Sequence, residues 1–312
     1  MKIYSLIEEF SSSYPCVFTF GFFDGVHIGH QRIIQNLVVN KKKKYCSVLL
    51  TFNPHPQEIL YPNKKFYYLN TLSERISNLK NTGIEHLIIH PFTRIFSKLS
   101  TKIFYQKILH YKLNIDKMIV GYDFHIGKNR RNSYNELKIL SQKKKFRLYK
   151  IPPFQLQNKI ISSTEIRKSL LLGNLEWANE SLGYFYTLSG YVVRGIGLGK
   201  VMKYPTANFI VDSKKLVPKR GVYAVQIHYV NQIYKGMLNI GLNPTIHHKN
   251  RKTKLEVHIF NFFQEIYGKK IKISMIKIIR EEIQFQSINE LKNQIIKDEY
   301  KIKTFFKMKN VS

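Results

Sequence analysis

The sequence predicts two folded units in series: an α/β domain on a mostly parallel sheet, then an antiparallel β-barrel closed by a C-terminal helix. Three observations carry this. Strand-like and helix-like stretches alternate through the first half of the chain. After about Gly183 they give way to short alternating runs punctuated by Gly, Pro and Asn. The length of 312 residues is about twice that of an ordinary domain.

The elements follow in order. "CVFTFG" (16–21) reads as a strand, and Ile33, Ile34, Leu37 and Val38 at helical spacing predict a helix from near Gly29 to about Asn40. "SVLLTF" (47–52) is a second strand, followed by the Pro-rich loop "NPHP" (53–56) and a helix around 71–82. The strand "HLIIH" (86–90), a helix around 100–112 and the strand "KMIVG" (117–121) continue the βα pattern, which places chemistry at strand ends. In the second half, "TLSGYVVRG", "GVYAVQIHYV", "YKGMLNIG", "KLEVHIFNF" and "KIKISMIKIIR" give five or six strands, and Ile288 to Phe306 reads as the closing helix. A short hinge within 180–188 divides domains 1–184 and 185–312.

Composition narrows the function. The chain carries 51 Lys+Arg against 20 Asp+Glu, a net +31, but 44% hydrophobic content excludes a disordered polyelectrolyte. Of the basic residues 40 are Lys and 11 are Arg, scattered along the chain. Base-reading surfaces favour Arg, so no nucleic-acid partner is expected and RNA binding is a secondary alternative. Cys16 and Cys46 sit singly in apolar runs with no C-x-x-C spacing, which offers neither a disulfide framework nor a thiolate metal site. A reducing, cytoplasmic setting fits, and no apolar run approaches the ~18–20 residues of a membrane span. The opening "MKIYSLIEEF" carries acids where a signal peptide would be apolar, so no membrane association is expected.

The strongest local signal is "GFFDGVHIGH" (21–30), after a strand and opening a helix. His27 and His30 can face one spot beside the helix N-terminus, where free N–H groups favour anions. Gly21, Gly25 and Gly29 allow a tight turn and close approach of a nucleotide phosphate. By itself an H-x-x-H pair more often marks surface or capping histidines. "SSTEIR" (162–167) alone is a capped helix start. In "RGIGLGKVMKYPTANF" (194–209) a Gly-rich stretch precedes Thr206 and Asn208, which share a strand face and together can hold Mg²⁺ and its ATP. Glu256, a carboxylate within an apolar strand, needs a partner or a task.

These segments together resemble the bacterial bifunctional riboflavin kinase/FMN adenylyltransferase (FAD synthetase) family. The first matches its G-x-F-D-G-x-H-x-G-H signature, and "TFNPHP" (51–56), "FSKLS" (96–100), "GYDFHIGKNR" (121–130) and "ISSTEIRKSLLLGN" (161–174) follow in the family's order. "RGIGLGKVMKYPTANF", "GVYAV" (221–225), "NIGLNPT" (239–245) and "LEVHIFNF" (255–262) match its kinase module.

The resemblance implies a Rossmann-like nucleotidyltransferase domain and a riboflavin-kinase barrel, with riboflavin, FMN and ATP as substrates and Mg²⁺ as cofactor. It implies His27 and His30 as catalytic in the first domain and Glu256 as the kinase base. ATP and phosphate contacts would come from Gly21, Asp24, Gly25, Gly29, Asp123, Ser163, Thr164 and Arg167, and flavin contacts from Asn53, Pro54, His55 and Pro56. In the barrel the ATP contacts would be Gly195, Gly197, Gly199, Lys200, Pro205, Thr206 and Asn208, the last two also holding the metal. The sequence departs from the family's pattern at Lys203 and Tyr204, where Gly-Phe is usual, and at Asn132 and Ile160. Alternatives left open are a monofunctional nucleotidyltransferase with a non-catalytic barrel and a basic RNA-binding protein.

Overall fold

A computed structural model of the chain describes residues 1–38, 45–106, 113–125, 133–195, 204–242 and 253–308. The chain forms two compact units, Met1–Ser163 and Thr164–Ser312.

The first unit is built on six parallel strands: β1 (Lys2–Tyr4), β2 (Cys16–Phe20), β3 (Cys46–Phe52), β4 (His86–His90), β5 (Ile115–Val120) and β6 (Arg147–Lys150). Their spatial order is β1-β4-β3-β2-β5-β6. Alternate residues of each central strand enter different cores, as a sheet covered on both faces requires. Phe18, Val48, Leu50, Met118 and Val120 pack in one core. Val17, Leu49, Leu87 and Ile119 pack in the other, against Ile34 and Leu37 of α1 (Ile28–Val38). After β3 come α2 (Pro56–Leu60) and α3 (Leu72–Lys80); after β4, the single turns α4 (Arg94–Ser97) and α5 (Thr101–Phe104). The remainder of the expected 100–112 helix, from 107, lies outside the described residues.

The elements without a sequence expectation include β1, β6 and the helix α6 (Ser133–Lys144). Strand β1 is a short edge with an exposed, exposed, half-buried pattern, and only its pairing to β4 makes it a strand. Helix α6 buries just Ser133, Leu137 and Ser141, too sparse a stripe to register as amphipathic. Strand β6 is a mostly exposed edge beside β5.

The second unit begins in α7 (Ser163–Leu172) and continues through α8 (Leu175–Leu182). Strands β9 (Thr187–Val193), β10 (Ala207–Val211), β11 (Gly221–Tyr229), β12 (Gln232–Leu242), β13 (Thr253–Ile259) and β14 (Lys270–Glu281) close an antiparallel barrel in the order β10-β13-β12-β11-β14-β9. The hairpin β7 (Gln155–Leu156) and β8 (Lys159–Ile160) precedes α7, and Ile160, one of the departures from the family pattern, lies there exposed. Helix α9 (Ile288–Met308) presses Ile302 and Phe306 onto Val222, Ala224 and Met237. Within the second unit α8 is fastened to the barrel. Asn179 donates to the Met275 carbonyl at 3.0 Å and accepts from the Tyr186 N–H at 2.7 Å.

The two cysteines, solitary in sequence, are paired in space. Cys16 and Cys46 are register partners on β2 and β3, with Sγ atoms 3.0 Å apart as free thiols. Hydrogen bonding to Cys16 pulls the Cys46 thiol down to about 7, while its hydrogen bond to Cys46 and burial push Cys16 up. Limited alkylation at neutral pH is therefore expected to label Cys46 first, with peptide mass mapping as the readout; Cys16 labelled first would contradict this arrangement.

Candidate active sites

The strand order reverses direction at β2: the chain moves outward through β3 to β4, then returns to β5 on the other side of β2. Ligands of open α/β sheets bind beyond the strand C-termini at such a switch point. The histidine segment follows β2, and Gly121 to Asp123 follow the neighbouring β5.

Phe23 (φ 56°) and Gly25 (φ 80°) take left-handed conformations that turn the chain sharply before α1. His27 then caps α1: its Nδ1 accepts from the His30 N–H at 3.3 Å and its carbonyl accepts from the Gln31 N–H at 2.9 Å. Gly29 leaves the room for this, since a Cβ there would lie 3.2 Å from the His27 ring. The His27 and His30 rings stack at 3.6 Å with 18° between their planes, and Phe23 lies edge-on to His30 at 5.0 Å. Burial, reinforced by His27, holds the His30 imidazole well below its ordinary range, so it is neutral at pH 7. Its Nδ1 is buried without a hydrogen-bond partner among the described residues. The pair thus brings imidazole groups to a helix start, a fit for an anion in which charge develops.

The surrounding assignments separate by environment. Asp24 is 2% exposed and gives its two carboxylate oxygens to the Asn70 and Leu69 N–H groups, each at 3.0 Å. Both oxygens are thus engaged by main-chain N–H groups, which anchors the histidine loop to the segment that leads into α3. Ser163 donates its hydroxyl to the Asp24 carbonyl at 2.8 Å, joining the S-S-T segment to the histidine loop. On α7, Thr164 is exposed and Arg167 half-buried. Asp123 is exposed in a turn in which the Phe124 N–H reaches the Gly121 carbonyl at 3.3 Å. Beyond β3, His55 caps α2 through Gln57 N–H at 2.9 Å, stacks on Phe66 at 4.1 Å and meets the edge of Phe22 at 3.9 Å. Asn53 is exposed, while Pro54 and Pro56 are half-buried.

In the barrel, Asn208 of β10 and Asn239 of β12 are register partners of Glu256 from its two sides. Cross-strand partners project from one face, so the three form a polar row across three strands. Glu256 is half-buried rather than sealed in apolar surroundings as its sequence context suggested, and Lys254 meets it at 2.8 Å. Gly195 is required here: a Cβ would fall 1.6 Å from the Asn208 amide. The Pro205 carbonyl is held by His258 Nδ1 at 2.8 Å, and Tyr204 lies edge-on to the same ring at 5.5 Å. The Tyr204 phenol, raised by burial and by its hydrogen bond to Glu299, ties this segment to α9. Thr206 is half-buried, two residues before Asn208. Gly197, Gly199, Lys200, Lys203 and Asn132 lie outside the described residues.

Comparison with known proteins completes the picture. Residues 9–165 match the FAD synthetase family model and residues 182–306 the riboflavin kinase model. A bifunctional riboflavin kinase/FMN adenylyltransferase of Buchnera aphidicola subsp. Schizaphis graminum is 38% identical over 92% of this chain and 93% of its own. The protein of that name from Bacillus subtilis is 35% identical, over 93% and 92% respectively. The chain belongs to the bifunctional riboflavin kinase/FMN adenylyltransferase family. A solved Streptococcus pneumoniae structure, described as a macrolide-efflux protein, shares its fold at TM-score 0.87 and 28% identity, over 96% of this chain and 97% of that one. Among the described residues of this family member, no helix is long and apolar enough to cross a membrane.

Two residues that the sequence reading missed stand out in this bifunctional chain. Asn239 lay inside the quoted "NIGLNPT" motif, and only strand register sets it beside Glu256. Arg75 is 2% exposed, with its Nη1 donating to the Phe22 carbonyl at 3.1 Å and its Nη2 to the Phe52 carbonyl at 3.0 Å. A signal existed: Leu72, Arg75, Ile76 and Leu79 share helical core spacing, which puts an arginine where an apolar residue belongs.

Proposed function

We propose that this chain makes both flavin cofactors from riboflavin in two steps at two sites. The reading rests on one observation: a stacked histidine pair at the switch point of a parallel sheet and a carboxylate within a polar row of a barrel occur on the same chain.

In the barrel, domain 185–312 in this reading, Glu256 takes the proton of the riboflavin 5′-hydroxyl as that oxygen attacks the γ-phosphorus of ATP, giving FMN and ADP. The oxygen donors of Thr206 and Asn208 suit Mg²⁺, a hard ion that keeps waters and phosphate oxygens as its other ligands, and the missing Cβ of Gly195 leaves the Asn208 amide room. When bound, the ion supplies charge neutralisation at the phosphates. Gly195, Gly197, Gly199, Lys200 and Pro205 supply further ATP contacts in this reading.

In domain 1–184, the FMN phosphate attacks the α-phosphorus of a second ATP, forming FAD and releasing pyrophosphate. His27 and His30 stabilise charge on the α-phosphate, and Gly21, Gly25 and Gly29 let the backbone close on it. Ser163, Thr164 and Arg167 hold the departing pyrophosphate, and Asp123 contacts nucleotide or flavin. Asn53 to Pro56, beside the aromatic rings of Phe22 and Phe66, form the flavin side. The partners are small molecules in a cytoplasmic setting, with no nucleic acid.

The test is chromatography of the purified chain with riboflavin, ATP and Mg²⁺. FMN is expected first and FAD after it. FAD formed only from supplied FMN would make the barrel a scaffold, and no product from either flavin would overturn the enzymatic reading.

A further inference from the structure

The sheet ladder between β2 and β3 ends where Phe20 pairs with Leu50 and the Gly21 N–H reaches the Leu50 carbonyl at 3.1 Å. Beyond that point the two strands lead into different loops, one carrying His27 and His30 and the other Asn53 to Pro56. Arg75 spans the gap with a planar fork, one nitrogen on the carbonyl of Phe22 and the other on that of Phe52. The Phe22 ring lies under the guanidinium at 4.2 Å and also meets His55 edge-on. Asp24 works from the other side, holding the N–H groups of Leu69 and Asn70. Those residues lead into the Thr71–Glu74 capping box that starts α3, the helix of Arg75. Two opposite charges, both buried, therefore clamp three loops to one another at the strand C-termini.

We propose that Arg75 and Asp24 are positioning residues for FMN adenylylation, fixing the nucleotide loop against the flavin loop without touching either substrate. This rests on the adenylyltransferase reading above. Arg75 is spent on main-chain carbonyls rather than ligands, and its Nε is buried with no partner among the described residues. A buried cation left partly unsatisfied is a poor stabilising device, since a well-packed apolar side chain of similar size would serve the core as well or better. What only the fork provides is a fixed distance between two loop carbonyls. Small misplacement of reacting groups costs rate steeply, about 10²-fold for 1 Å.

The test uses the full chain, with Arg75→Met, Arg75→Lys and Asp24→Asn assayed for FAD formation from FMN and, in the same samples, for riboflavin phosphorylation. Arg75→Met is expected to lower kcat for FAD formation by about 10²-fold, with larger KM values for FMN and ATP. Arg75→Lys is expected to recover part of kcat, because an ammonium reaches one carbonyl but cannot fork to both. FMN formation should stay at the parental rate in all three. Parental FAD kinetics in Arg75→Met would overturn the proposal. So would a loss of FAD formation that merely tracks the folded fraction seen in thermal unfolding, for that would make Arg75 a brace of the fold alone. Should Arg75→Met fail to fold, Asp24→Asn, which keeps shape and removes charge, decides: unchanged kcat and KM there would overturn the proposal. If the parental chain turned no FMN into FAD, the adenylyltransferase reading itself would fall, an outcome distinct from any difference among the variants.

Discussion

His30→Ala is expected to lower FAD formation by about 10²–10³-fold while FMN formation continues at the parental rate. The imidazole is neutral at pH 7 because burial and His27 disfavour its proton, so in the proposed reaction it would act as a fixed N–H donor beside the α-phosphate rather than as a permanent cation. Alanine removes that donor but leaves the backbone N–H that His27 accepts, so the start of α1 should survive. Product chromatography with riboflavin or FMN as the starting flavin is the measurement. Equal loss of both activities in a folded variant would contradict separate sites. A pH effect follows with a defined sign. The native state resists protonation of His30, so stability is full above the ordinary value of 6.5 and is lost as pH falls below it. The melting temperature of His30→Ala should therefore be less acid-sensitive than that of the parent.

Glu256→Gln should do the reverse, lowering FMN formation by about 10²–10⁴-fold and sparing the conversion of supplied FMN to FAD. Glutamine keeps the size and hydrogen-bonding reach of the side chain but cannot take the hydroxyl proton. The position is half-buried and its ion pair with Lys254 leaves the lysine partly exposed, so little stability is at stake. FMN made at the parental rate by the variant would show that Glu256 is not the base.

Much of the architecture was legible because local periodicity sufficed. β2, β3 and β4 are continuous apolar runs, α1 shows a clear stripe, and β13 alternates, so their types follow from side-chain spacing. β1, α6 and β6 lacked such a signal because edges and exposed helices bury too little to need one. The histidine pair was legible for a different reason. Its spacing, glycines and position after a strand restrict the local backbone strongly, and His27 proves to be a helix cap as well as a candidate catalytic group. Asp24 sits in the same motif, yet its partners Leu69 and Asn70 are distant in sequence, and nothing local distinguishes an anchor from a ligand contact.

By itself the sequence determined the two fold classes and the order of the motifs, because hydrophobic period and turn chemistry act between near neighbours, while the candidate groups for both reactions came from the resemblance of those motifs to the family. The tertiary structure alone decided which of those groups meet. Cys16 faces Cys46, Asn239 lines up with Glu256, and Arg75 joins Phe22 to Phe52. Each of these pairings depends on strand register or on a helix docking over strand ends, and the position of a chain segment relative to a distant one is set by the packing of the whole core.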